Sequence, residues 1–163
     1  MFSVKQLVEA LNQEHAAYVI IGGVAAVVQG ATYVTEDLDV CYERTAENHE
    51  RICKALRPFN PRLRGAPAGL PFKFDARTLK SGLNFTLSTD AGDIDLLGEV
   101  SGLGTVIEVK ANSTSAVLYG ANVFVLTLEG LIAAKQAAGR TKDLLHLSEL
   151  RALQALRAKP QQP

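Results

Sequence analysis

Apolar and polar residues along this chain follow two periods, and the period changes often. Val4, Leu7, Val8 and Leu11 recur at helical spacing, which predicts an amphipathic helix over residues 4–15. Ser3 and Gln6 have the spacing of a capping box, with Phe2 and Leu7 placed as a hydrophobic staple. Tyr18–Ile21 is a short β-prone apolar run closed by Gly22-Gly23, so a buried strand and a tight turn are expected there. A helix of small residues follows over Val24–Gln29, with Gly30 as its stop.

Asp37–Tyr42 then alternates. Leu38, Val40 and Tyr42 point one way; Asp37, Asp39 and Cys41 point the other. Thr45 begins a helix over Ala46–Arg57 whose inner face is Ile52, Cys53 and Leu56. Pro58–Pro71 holds four prolines and two glycines and reads as a long loop. Asn84–Thr89 and Asp93–Leu97 read as a hairpin joined through Asp90-Ala91-Gly92, and Val106–Val109 and Val123–Leu126 as further short strands. Thr127 caps a helix over Leu128–Ala138, Gly139 ends it, and Thr141 starts another to about Leu156. Interspersed helices and strands imply a mixed α/β (α+β) fold, a small mixed sheet with flanking helices. One domain over residues 1–158 and a disordered tail over 159–163 are expected.

Composition adds bounds. A hydrophobic fraction of 47% and a charged fraction of 21% are those of an ordinary globular protein. Cys41 and Cys53 lack the spacing of a metal or redox motif and read as reduced thiols. With no export-type segment and no apolar run long enough to span a bilayer, a cytoplasmic location and no membrane partner are expected. Charge changes the picture more. Residues 36–50 carry six acids against Arg44, residues 51–80 carry eight bases against Asp75, and residues 90–108 carry five acids and no base. An acidic centre flanked by a basic segment suits a metal site that receives a polyanion, although solvated helix faces would produce the same runs.

Three pieces carry the chemistry: Gly22-Gly23 after a strand, Asp37-Leu38-Asp39 on the next, and Ile94-Asp95-Leu96 on a later one. Period-2 geometry puts Asp37 and Asp39 on one face, roughly 7 Å apart. A carboxylate between apolar neighbours, such as Asp95, is costly to bury unless paired or metal-bound. Three converging acids call for a divalent cation, and hard oxygen donors with no His or Cys cluster favour Mg²⁺ or Mn²⁺. Gly22 and Gly23 would let backbone N–H groups approach phosphate at a helix start. Asp93 shares a face with Asp95 and is its rival as third ligand. His15, His49 and His146 are scattered and read as structural. Phe59, Phe72 and Phe74 in the basic stretch could stack on bases but fit core packing better.

The run Ile20-Ile21-Gly22-Gly23-Val24-Ala25, with Gly30, Thr35 and Asp37-Leu38-Asp39-Val40, resembles the signature of the nucleotidyltransferase superfamily of polymerase β-like enzymes. Ile94-Asp95-Leu96-Leu97 is similar to its third carboxylate. Closer likeness is to small bacterial members, including nucleotidyltransferase toxins of type IV toxin–antitoxin systems; it extends to Val125-Leu126-Thr127-Leu128-Glu129, Lys135, Ala138, Arg140 and Lys142-Asp143. The resemblance implies a nucleotidyltransferase fold with added C-terminal helices, covering residues 18–150. It implies transfer of NMP from a nucleoside triphosphate to a hydroxyl on RNA, protein or a small molecule, with Asp37, Asp39 and Asp95 as metal-binding catalytic residues. Gly22, Gly23, Thr35, Lys135, Arg140 and Lys142 would then bind the nucleotide, and an antitoxin or other protein partner is implied. Two positions depart from the family: Gly23 stands where relatives often have Ser, and Tyr33 where many have Arg. These motivate an alternative, a catalytically weakened module that acts by binding a protein partner. A dinucleotide-binding turn at Gly22-Gly23 is set aside, because the third glycine is missing and Asp37-x-Asp39 would go unexplained.

Overall fold

The computed structural model describes residues 2–160, and side chains from Val4 onward. The elements run α1 (Phe2–Gln13), β1 (Tyr18–Ile21), α2 (Gly22–Val28), β2 (Leu38–Tyr42), α3 (Ala46–Leu56), β3 (Arg62–Leu63) and α4 (Ala76–Ser81). They continue with β4 (Asn84–Thr89), β5 (Gly92–Leu97), β6 (Glu99–Val100), β7 (Gly104–Thr105), α5 (Val106–Ala111), β8 (Ser113–Leu118), β9 (Ala121–Leu126), α6 (Leu128–Ala138) and α7 (Thr141–Ala158). Seven strands form one mixed sheet in the order β3-β4-β5-β2-β1-β9-β8, and β6 pairs with β7 apart from it. The expected mixed sheet with flanking helices is therefore present.

Around Asp39 and Asp95, alternation fixes which side of β2 and β5 is buried. Leu38, Val40, Ile94 and Leu96 are buried, and with Leu7, Leu11, Ile52 and Leu56 from α1 and α3 they make the core. Burial of such side chains contributes about 1.5–3 kcal/mol each. Cys41 and Cys53 are free and buried within the same core, where burial first of all pushes both thiols up to about 12. They are packing residues at neutral pH. Phe59, Phe72 and Phe74 also pack against the core.

Helix ends follow their local chemistry. Thr45 accepts from the Asn48 N–H, and Thr127 from the Gly130 N–H, as N-caps should. Gly139 takes φ +63 and ends α6 in the left-handed region. The expected capping box and staple at Phe2 and Ser3 lie outside the described side chains, and residues 161–163 of the expected tail lie outside the described residues.

Three expectations change, and one strand is new. Residues 106–109 are helix, not strand: the Glu108 carboxylate accepts from both the N–H and the hydroxyl of Thr105, and this capping box outweighs the β-branched run. Ser113–Leu118, for which the sequence reading names no element, forms β8 and lies antiparallel to β9. No tight turn separates β1 from its helix, because α2 begins at Gly22 itself. The Pro58–Pro71 stretch is not loop throughout; Arg62 and Leu63 pair with Ser88 and Leu87 and make β3 an edge strand.

Asn48 ties the scaffold together from a buried position. It accepts from the Ala17 N–H and donates to the carbonyls of Ala17 and Glu43, joining α3 to the start of β1 and the end of β2. Asn48→Ala leaves those groups unsatisfied and is expected to lower stability by about 2–4 kcal/mol, read from urea unfolding. A loss under ~0.5 kcal/mol would contradict the role given to it.

Candidate active site

The site begins with one strand register. β2 and β5 run parallel with Leu38 opposite Ile94, Asp39 opposite Asp95 and Val40 opposite Leu96. Residues directly opposite project to the same face, so Asp39 and Asp95 stand side by side while their apolar neighbours enter the core. On the other flank of β2, Ile21 pairs with Asp39 and brings Gly22 against the carboxylate. Gly22 has φ +63, and a Cβ on it would overlap Asp39 Oδ2. Handedness and space both demand glycine there.

Asp37, one residue before β2, completes the expected trio along a cleft of about 570 Å³. Across from it stand Leu131 and Ala134 of α6 and the bases Lys135, Arg140 and Lys142. The three expected acids and three expected bases thus line one cleft with Gly22. Gly23 and Thr35 are not part of its lining. The Thr35 side chain lies over Gly23, where a Cβ would come within 2.5 Å of its hydroxyl oxygen, and that hydroxyl donates to the Asp37 carbonyl at 3.3 Å.

Charge is confined here. Burial first, then Asp95 and Asp37, push the Asp39 carboxyl up to about 7. Burial also raises Asp95, with Arg64 offsetting part of the effect. Arg64 lies at the end of β3 and sets its guanidinium 2.9 Å from Asp95 Oδ1 and 3.0 Å from Asp93 Oδ2. Asp93 is turned to Arg64 and does not line the cleft, whereas Asp95 does.

The basic wall is organised by Asp143, whose side chain is fully buried. It accepts from Lys135 Nζ at 3.1 Å, from Arg140 Nε at 2.6 Å and from the Arg140 backbone N–H at 3.2 Å. Burial alone would raise this carboxyl; the bonds from Arg140 and Lys135 outweigh it and hold it at about 2. On the far side of Lys135, His146 brings Nδ1 to 3.4 Å and stacks on Tyr33 at 4.1 Å between ring centroids. Burial, then Lys135, keeps that imidazole below its ordinary pKa, so it is neutral near pH 7.

The sequence gives Arg64 no individual role and shows Asp143 only as part of the family-like Lys142-Asp143 pair. Nothing local marks Arg64, which reaches its partners only through strand pairing. Asp143 had a signal: it stands three residues after Arg140 at the start of a helix, a position from which a carboxylate bonds back to the N-cap backbone.

Oxygen donors under mutual repulsion suit Mg²⁺ or Mn²⁺ in kind and in charge. As the side chains lie, no three His, Cys, Asp or Glu groups among the described residues converge closely enough to hold an ion. Arg64 is the group that pairs with Asp95.

A seven-stranded mixed sheet with flanking helices and paired aspartates on neighbouring central strands is the nucleotidyltransferase fold. No family model and no curated protein matches the sequence. Solved structures share its fold. A Thermotoga maritima protein assigned as a nucleotidyltransferase is 15% identical with a TM-score of 0.52, over 94% of this chain and 88% of that one. ANT(2″)-Ia, solved with adenylyl-2″-tobramycin, is 13% identical with a TM-score of 0.56, over 95% of this chain and 92% of its own. At these identities the likeness establishes the fold. No helix among the described residues is long and apolar enough to cross a membrane.

Two outcomes follow from the electrostatics. Asp143→Ala strands Lys135 in a largely buried position and is expected to cost about 3–5 kcal/mol by chemical denaturation; a neutral result would refute the organising role. The raised Asp39 carboxyl makes the folded chain hold a proton that the unfolded chain releases above about pH 4. Its contribution to stability is full below that pH and is lost as pH rises through about 7. In chelator, Asp39→Asn is therefore expected to stabilise at pH 8 by on the order of 2–4 kcal/mol and hardly at pH 4. Equal effects at both values would contradict the raised pKa.

Proposed function

We propose that this chain is a metal-dependent nucleotidyltransferase that moves NMP from a nucleoside triphosphate to a hydroxyl acceptor. The observation that carries the reading is the in-register pair Asp39–Asp95, with Asp37, facing Lys135, Arg140 and Lys142 across one cleft. Mg²⁺ or Mn²⁺ bound at these carboxylates would supply phosphate charge neutralisation and activation of the attacking oxygen. Lys135 and Arg140, held in place by Asp143, would draw the triphosphate toward the acidic side, with Lys142 beside them. Gly22 would allow close approach to the phosphates. Asp95, whose carboxyl burial raises, would accept the proton of the acceptor hydroxyl. That oxygen would bond to the α-phosphorus as the bond to the β-phosphate oxygen breaks, and pyrophosphate would leave.

The acceptor remains one of three chemical classes: RNA, protein or small molecule. The adenylyl-2″-tobramycin bound to ANT(2″)-Ia makes aminoglycoside hydroxyls one concrete choice to assay. A role in a toxin–antitoxin pair, with an antitoxin as partner, is the part of the proposal that rests on sequence resemblance alone.

The direct test is incubation with α-labelled NTPs and Mg²⁺ against panels of the three acceptor classes. Label transfer is expected, and Asp39→Ala is expected to reduce it about 10³-fold or more, since charge stabilisation at such a cluster is worth several kcal/mol. No transfer to any class, together with no NTP binding, would overturn the proposal.

A further inference from the structure

Arg64 is the basic side chain that enters the acidic side of the cleft. Its backbone N–H donates to the Thr86 carbonyl at 3.0 Å, carrying the β3–β4 pairing one residue further. Its guanidinium donates to the Leu87 carbonyl at 2.8 Å and faces Asp93 and Asp95 at 3.0 and 2.9 Å. Arg64 and Asp95 are each 27% exposed at the side chain, so this pair is held out of most of the solvent that weakens surface ion pairs. Arginine does not lose its proton in the accessible pH range. Only a competing cation or a shift of the side chain can free Asp95.

We propose that Arg64 is a resident cation at the third carboxylate: it occupies Asp95 in the ligand-free protein, so a first divalent ion binds at Asp37 and Asp39 and a second must displace the guanidinium. The inference rests on the metal-dependent reading above. Space for the displaced side chain exists. Arg64 also lines a second groove of about 370 Å³ with Pro61, Leu63, Pro67 and Phe72, which opens from the Asp95 side of the cleft. Arg64 is thus a positioning residue that sets how many ions the cluster holds before nucleotide arrives, and it stands where that groove meets the cleft.

The test is a Mn²⁺ titration of the whole chain without nucleotide, reading free Mn²⁺ by electron paramagnetic resonance. The wild-type protein is expected to show one tighter site and a second that is much weaker. Arg64→Gln is expected to tighten the second site roughly tenfold or more, the scale of a lost close ion pair in a cleft shielded from bulk water. Adding Asp95→Asn to that variant is expected to abolish the gain. Arg64→Lys keeps the charge but not the bridge between Asp93 and Asp95, so it is expected to fall between; it also serves if Arg64→Gln does not fold by circular dichroism. Equal second-site affinity in the wild type and both Arg64 variants would overturn the inference and leave the metal-dependent reading standing. Absence of Mn²⁺ binding in every variant, with or without ATP, would overturn both.

Discussion

The pairing of β2 with β5 is the constraint on which the rest of this structure depends. Parallel register sets Leu38, Val40, Ile94 and Leu96 into the core, and the same register forces Asp39 against Asp95 on the opposite face. A one-residue slip of either strand would turn its carboxylate inward and its apolar residues outward, so the hydrophobic core itself holds the two acids together. Burial makes charge on Asp39 costly and repulsion from Asp95 and Asp37 adds to that cost, so its carboxyl is raised to about 7. Gly22 shapes the other side of that carboxylate, because no side chain fits there.

The cleft opposes this crowded acid with a wall of fixed base. Asp143 holds Lys135 and Arg140 together, and α6, which carries Lys135 and ends just before Arg140, is set by a Thr127 cap and a Gly139 stop. His146, stacked on Tyr33, fills the space behind Lys135. The wall sits where a polyanion would be met, and the acids sit where a cation would be needed. Arg64 answers part of that need from within the chain. The departures at Gly23 and Tyr33 also find structural places: Thr35 lies over Gly23, and Tyr33 supports His146 rather than facing the cleft.

Much of this was legible in the sequence, for reasons that can be named. Alternation over residues 37–42, and the apolar flanks Ile94 and Leu96 of Asp95, set the acids and the core on opposite faces. Caps at Thr45 and Thr127 and the stop at Gly139 set helix bounds through purely local chemistry. What stayed hidden depends on distant contacts or on competing local signals. Residues 106–109 have the composition of a strand, but the Thr105–Glu108 box decides for helix. β3 is two residues long among prolines and exists only because β4 offers an edge. Arg64 therefore could not be tied to Asp95, which lies 31 residues on in the chain and beside it in space. Asp143 was visible as part of a Lys-Asp pair, but its complete burial was not.

Asp39 and Asp95 share one confined space and are held there short of a full complement of cations. Carboxyl ¹³C chemical shifts of aspartate, followed by NMR from pH 3 to 9 in chelator and again with Mg²⁺, measure this directly. The Asp39 signal is expected to titrate at about 7 without metal and to move well downward when Mg²⁺ is added. An Asp39 carboxyl that titrates at about 4 in chelator and ignores Mg²⁺ would contradict it.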